Sequence, residues 1–187
     1  MPKHILVAYV EDKPGVLNRV ASLFRRRAFN IESLTVGRTD QDGVSRMTIV
    51  VDADEIMARR IEANLYKLVN VLRVDDVTEK PAVVRDLALI KVAVKNGRRA
   101  EILQLVDVFR ARVVDVTNES LIIEGTGTED KIEGLIDVLR PYGVVEMVRT
   151  GIVAMARGAE VVSANPPSVA AEVSDSDPVD SGVAHSV

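Results

Sequence analysis

The chain contains no cysteine and no tryptophan, and phenylalanine and tyrosine occur only three times each. The missing cysteine excludes disulfides, a thiolate nucleophile and a thiolate metal site. Histidine is nearly absent: His4 and His185 are the only two, which leaves little material for a Ser–His–Asp arrangement or a histidine metal site. Long apolar runs are missing as well. Nothing approaches the ~18–20 residues needed to cross a bilayer. The first apolar stretch, Ile5 to Val10, stops at Glu11 and is not followed by a cleavage pattern, so no signal peptide and a cytoplasmic protein are expected. Positive charge is absent from residues 159–187, which hold Glu160, Glu172, Asp175, Asp177 and Asp180 but no Lys or Arg. The net charge of −4 therefore misrepresents the rest: without those five acids, 24 basic residues face 23 acidic ones. A nearly neutral body lacks the broad positive field that nucleic-acid binding requires.

What the chain has is a core: 47% of its residues are hydrophobic, ample for a globular protein. The pattern along it occurs twice. Residues 3–10 read as a strand, and residues 14–28 as a helix with Val16, Leu17, Val20, Leu23 and Phe24 on one face. Pro14 suits a first helical turn. Residues 30–36 and 45–51 are strands around the turn Asp40-Gln41-Asp42-Gly43. Asp54 caps a helix to about residue 68, with Ile56, Ile61, Leu65 and Leu68 inward, and residues 70–77 close the unit as a strand. Pro81 and its neighbours read as a linker. Residues 87–94 are then a strand and 98–110 a helix with Ile102, Leu105, Val106 and Phe109 facing in. Residues 113–116 and 121–123 are strands around Thr117-Asn118-Glu119. Thr126 and Glu129 form a capping-box pattern for a helix to residue 139. Pro141-Tyr142-Gly143 breaks it, and residues 144–148 form the last strand. Each half is βαββαβ, an α+β ferredoxin-like unit repeated in architecture rather than in sequence. From residue 159 on the periodicity stops, and a disordered acidic tail is expected.

The informative chemistry lies in Asp12-Lys13-Pro14-Gly15-Val16-Leu17, between the first strand and the first helix. A helix start has unpaired N–H groups and partial positive charge, and so attracts a carboxylate. Gly15 leaves room for a ligand to approach the backbone, and Asp12 offers acceptors to an ammonium. Together they suit a free amino acid, although Asp-x-Pro-Gly is also ordinary helix-start chemistry. Asn30, in Phe29-Asn30-Ile31-Glu32-Ser33-Leu34, can donate and accept at once, which suits a zwitterion. It can equally be a turn residue capping the helix end.

These two stretches resemble an ACT domain, the βαββαβ module that senses small metabolites. Asn30-Ile31-Glu32-Ser33-Leu34-Thr35-Val36, Ser45-Arg46-Met47-Thr48-Ile49 and Lys67-Leu68-Val69-Asn70-Val71-Leu72-Arg73-Val74 resemble the acetohydroxyacid (acetolactate) synthase small subunit in particular. So do Phe109-Arg110-Ala111-Arg112-Val113-Val114-Asp115-Val116-Thr117 and Arg149-Thr150-Gly151. The resemblance spans about residues 3–158. It implies an ACT domain over 1–79, a linker at 80–85, a C-terminal ferredoxin-like small-subunit domain over 86–158 and the tail at 159–187. It implies a non-catalytic chain that activates a large catalytic subunit and mediates feedback inhibition by valine or another branched-chain amino acid. Thiamine diphosphate, magnesium and FAD would belong to the catalytic subunit, not to this chain. The resemblance also implies a homodimer in which two ACT sheets join edge to edge. The ligand would lie at that junction, against Asp12, Lys13, Pro14, Gly15, Val16 and Leu17 of one chain and Asn30 and Ile31 of its partner. Some family members have Asn at the position of Asp12, and a smaller residue is frequent at Asn18, so affinity or ligand preference can differ here.

Other readings fit less well. An ACT sensor serving a different partner shares the motifs. An RNA-recognition module stacks bases on strand aromatics, and Arg46-Met47-Thr48-Ile49-Val50-Val51 has none. An acylphosphatase-like enzyme relies on an arginine in the first strand–helix loop, where Lys13 is the only cation here. Gly125-Thr126-Gly127 matches part of a dinucleotide loop, but Asp130 stands at the third glycine position. Arg25-Arg26-Arg27 reads as the solvated end of a helix. Asp75 and Asp76 would point to opposite faces of a strand and make a poor catalytic pair.

Overall fold

The computed structural model describes residues 2–94 and 97–158. The first unit runs β1 (Lys3–Glu11), α1 (Val16–Arg26), β2 (Ile31–Arg38), β3 (Val44–Asp52), α2 (Glu55–Leu65) and β4 (Val71–Asp76). The second runs β5 (Ala82–Ala93), α3 (Arg99–Val108), β6 (Arg112–Val116), β7 (Ser120–Gly127), α4 (Glu129–Leu139) and β8 (Val144–Arg149), and is followed by β9 (Val153–Ala156). The sheets are antiparallel, in the orders β2-β3-β1-β4 and β6-β7-β5-β8, so the expected α+β architecture of two tandem βαββαβ ferredoxin-like units is what forms.

Alternation along the strands decides what each sheet face buries. Leu6, Ala8 and Val10 of β1 and Met47, Ile49 and Val51 of β3 pack against Val16, Val20, Leu23 and Phe24 of α1 and Ile61 and Leu65 of α2. In the second unit Ala88, Ile90 and Val92 pack against Ile102 and Val106 of α3 and Ile132, Leu135 and Leu139 of α4. Two residues expected inward are not: Leu17 is 46% and Ile56 64% exposed. Both sit off the stripe that their helix turns inward, Val16/Val20/Leu23/Phe24 in α1 and Ala58/Ile61/Leu65 in α2. Both helix–strand corners, after α1 and after α3, close the same way. Ala28 (φ 54°) and Arg110 (φ 49°) are left-handed, and the next amides reach back to Phe24 and Val106 carbonyls at 3.0 and 2.9 Å, a Schellman turn without glycine.

The main departure from the sequence reading concerns residues 80–85, expected as a linker. Ala82 to Arg85 are already strand, paired in register with β9 from Ala156 to Val153. This ribbon lies over the face of the first sheet that carries no helices, where Val7, Tyr9, Val77 and Ala154 form a third cluster with Ile5, Val44 and Val84. β1 is therefore buried on both faces, which explains the unbroken apolar run from Ile5 to Val10. The Thr126–Glu129 capping box also does not form: Thr126 ends in β7, and Thr128 is the N-cap of α4 without a side-chain bond. The expected disordered tail, 159–187, lies outside the described residues.

Candidate functional site

α1 begins at an unusual point. Its N-cap is Gly15, with φ 84°, no side-chain cap and no acid in the first turn. Elsewhere Asp54 caps α2 through the Met57 amide at 2.7 Å, and α3 and α4 carry Glu101 and Glu129/Asp130 in their first turns. The positive N-terminus of α1 therefore has no anion of its own. A β-carbon at Gly15 would meet nothing within 4 Å, so the space above the turn is open. Pro14 is exposed beside it, while Val16 is buried in the core and anchors the helix.

The loop before Gly15 is held from below. The Asp12 amide donates to the Gly43 carbonyl at 2.7 Å and the Glu11 amide to the Asn70 carbonyl at 2.9 Å. Asn70, buried between β4 and the helix start, donates from Nδ2 to Glu11 Oε2 and accepts from Arg19 Nη1, both at 2.5 Å. Asn70 and then Lys13 hold the Glu11 carboxyl below the usual carboxylate range by hydrogen bonding. Asp12 is exposed, with Arg38 Nε 3.5 Å from its carboxylate. A surface pair of that length contributes little and leaves Asp12 able to accept from an ammonium. Asn70 and Arg19 were not singled out from sequence.

Asn30 is exposed and Ile31 packs at the edge of the core. The capping role open to Asn30 from sequence is filled by the backbone of Ala28 and Phe29. Asn30 and the 12–17 loop do not meet within one chain. Ile31 aligns through Val51 with His4 at the start of β1, whereas the loop follows Glu11 at the other end. At ~3.3 Å per residue, the two halves of the expected site are about 23 Å apart. β2, which starts beside Asn30, is an edge strand of eight residues.

The remaining motifs resolve as structure. Gly125 and Gly127 lie in β7, where a β-carbon would come within 2.7 Å of Leu135 and 2.4 Å of Lys131, so they serve helix–sheet packing and not a phosphate loop. Arg25, Arg26 and Arg27 are exposed. His4 Nδ1 lies 2.8 Å from Asp76 Oδ2. Among the described residues no group of three or more His, Asp or Glu could hold a metal ion, and no helix is long and apolar enough to cross a membrane.

The family model described as AHAS small subunit-like ACT domain matches residues 6–73, and that described as small subunit of acetolactate synthase matches residues 85–158. The probable acetolactate synthase small subunit of Archaeoglobus fulgidus is 53% identical over 156 residues, 83% of this chain and 98% of its own. That of Mycolicibacterium smegmatis is 50% identical over 163 residues, 87% of this chain and 96% of its own. The crystal structure of the small subunit from Thermotoga maritima superposes with a TM-score of 0.80 at 43% identity, covering 84% of this chain and 99% of that one. The chain therefore belongs to the acetolactate synthase small-subunit family, the regulatory rather than catalytic chains built on an ACT domain.

Proposed function

We propose that this chain activates an acetolactate synthase catalytic subunit and carries feedback inhibition by valine or another branched-chain amino acid. The ligand lies between two copies of the chain. Its carboxylate takes the open N-terminus of α1 at Gly15, where an anion gains about 0.3–1 kcal/mol from the helix dipole beyond its hydrogen bonds. Its ammonium lies between Asp12 of one chain and the partner subunit's Asn30, and Leu17, Ile31 and the aliphatic part of Lys13 surround the side chain.

The observation that carries this reading is the separation of Asn30 from the 12–17 loop. One chain cannot apply both to one small ligand. Two chains joined antiparallel through β2 would place the Asn30 end of each against the loop end of the other, and would also satisfy two open edges. Thiamine diphosphate, magnesium and FAD belong in this reading to the catalytic subunit. Coupling between the subunits is reciprocal: whatever factor valine changes in catalytic-subunit affinity, the catalytic subunit changes in valine affinity.

The test is co-purification with the large subunit, followed by assay of acetolactate formation with each branched-chain amino acid. The chain is expected to raise activity, and at least one of valine, leucine and isoleucine to reverse the gain. Failure to co-purify, or indifference to all three, would contradict the proposal.

A further inference from the structure

The Arg149-Thr150-Gly151 motif plays no part in the ligand reading, yet it lies against the strand that follows Asn30. The Ile152 amide donates to Ser33 Oγ at 3.3 Å, and Thr35 Oγ1 donates to the Thr150 carbonyl at 3.1 Å. Ser33 and Thr35 are alternate residues of β2 on its helix-free face, so their backbone edge is left open for another strand. Between Asn30 and Ser33 the ladder is irregular at Glu32. The Glu32 carboxylate accepts from Lys3 at 2.7 Å, and the same ammonium reaches Glu129 at the start of α4 at 2.8 Å. Three of the five residues after Asn30 are thus tied, directly or through Lys3, to the second unit.

The turn itself is held by hydrogen bonds to β5. Asp86, buried where β5 passes from β9 to β7, accepts from Arg149 Nε at 2.8 Å and Nη2 at 2.5 Å. The Thr150 amide donates to the Leu87 carbonyl at 3.0 Å, and the Leu87 amide donates to Thr150 Oγ1 at 3.2 Å. Gly151 has φ 82°, and a β-carbon there would stand 2.2 Å from Ser33 Oγ. Only glycine lets the turn approach β2 this closely. Every polar group named here has a partner within the protein, so the arrangement holds the turn against β2.

We propose that residues 150–152 are positioning residues for the ligand site: by clamping β2 at Ser33 and Thr35 they fix Asn30 in place, and ligand occupancy is felt at this turn of the second unit. The inference rests on the ligand reading above. It gives the second unit a role in regulation beyond its own fold, because a contact that pre-orders Asn30 must itself be strengthened when Asn30 is engaged.

The test uses the full chain, valine, calorimetry and amide hydrogen exchange. In the wild type, valine is expected to slow exchange at residues 12–18 and 30–36 and also at Thr150 and Ile152. Ser33→Ala with Thr35→Val keeps shape and removes both hydroxyls. It is expected to abolish the slowing at 150–152 and to weaken valine roughly fivefold or more, while Thr35→Ser, which keeps the hydroxyl, binds as wild type. Gly151→Ala should match the double variant; if it fails to fold, the hydroxyl variants carry the test. Valine binding with 12–18 and 30–36 protected but 150–152 unchanged would overturn the clamp and leave the ligand reading standing. No heat of binding from valine, leucine or isoleucine would overturn both.

Discussion

The two units share a topology and differ at the two places where the first is expected to bind a ligand. At the start of α1 stands Gly15, with nothing above it and no acid in the turn. At the start of α3, Arg98 lies 4.3 Å over the Tyr142 ring and donates to Glu101 at 3.0 Å, and Tyr142 donates to the same carboxylate at 3.1 Å. The Arg98 hydrogen bond holds the Glu101 carboxyl below its usual range. After the helix the same contrast recurs. Asn30 and Arg112 are both exposed, but Arg112, two residues beyond the left-handed Arg110, is paired with Glu124 at 2.5 Å. The second unit supplies a charged partner of its own at both positions, and the first does not. In the proposed reading, the ligand site is made as much by omitted side chains as by added ones.

The comparison can be broken by giving the first unit what the second has. Gly15→Asp supplies an internal carboxylate at the α1 start, where it would take the ligand's place and repel the ligand's own charge. Valine affinity is expected to fall by roughly two orders of magnitude or more, with activation of the catalytic subunit retained; calorimetry and the activity assay read the two separately. A second contrast concerns stability. Both units tie the strand end opposite Leu6 or Ala88 with a polar side-chain pair that has its carboxylate on opposite strands: His4 with Asp76, and Asp86 with Arg149. The Asp86 side chain is only 1% exposed. Asp86→Ala removes the buried partner of Arg149, leaves its guanidinium to Glu133 alone, and is expected to cost about 2 kcal/mol in denaturant unfolding. Asn30→Ala is expected to weaken valine by about 1–3 kcal/mol without altering the melting temperature, whereas Arg112→Ala leaves binding unchanged.

The smallest effect is a pH dependence. Burial raises the Asp76 carboxyl, but hydrogen bonds from Thr78 and then His4 outweigh it and hold the group below its ordinary value. Its contribution is therefore complete above the unfolded carboxylate value of about 3.9 and is lost as pH falls through the lower folded value. The melting-temperature gap between wild type and Asp76→Asn should close as pH falls from about 4 through the acid range. A gap that persisted undiminished at the acid end would contradict this.

Most of the fold was legible because its signals are local. Period-2 runs, helical stripes and turn residues placed all eight strands and four helices of the two repeats. β9 and the first five residues of β5 were missed because Val153 to Ala156 is a short run whose partner lies at Ala82 to Arg85, across the whole second unit. No local pattern reports such a pairing. A trace of it was present in the run Ile5 to Val10, too apolar for a strand with one wet face. The roles proposed for Gly15 and Asn30 were drawn residue by residue from their chemistry and from the family resemblance. That they lie about 23 Å apart in one chain required the strand register, and the supporting role of Asn70 required the packing of β4 against the helix start.

The central claim is that one site draws its two halves from two chains, and a mixed dimer tests it directly. A Gly15→Asp chain and an Asn30→Ala chain, differently tagged and isolated as the mixed pair, each lack one half. If the site spans the dimer, one of its two sites combines an intact Gly15 loop with the partner subunit's intact Asn30, and roughly half of the sites bind valine with wild-type affinity although both parent homodimers are impaired. A mixed dimer with no wild-type site would contradict the account.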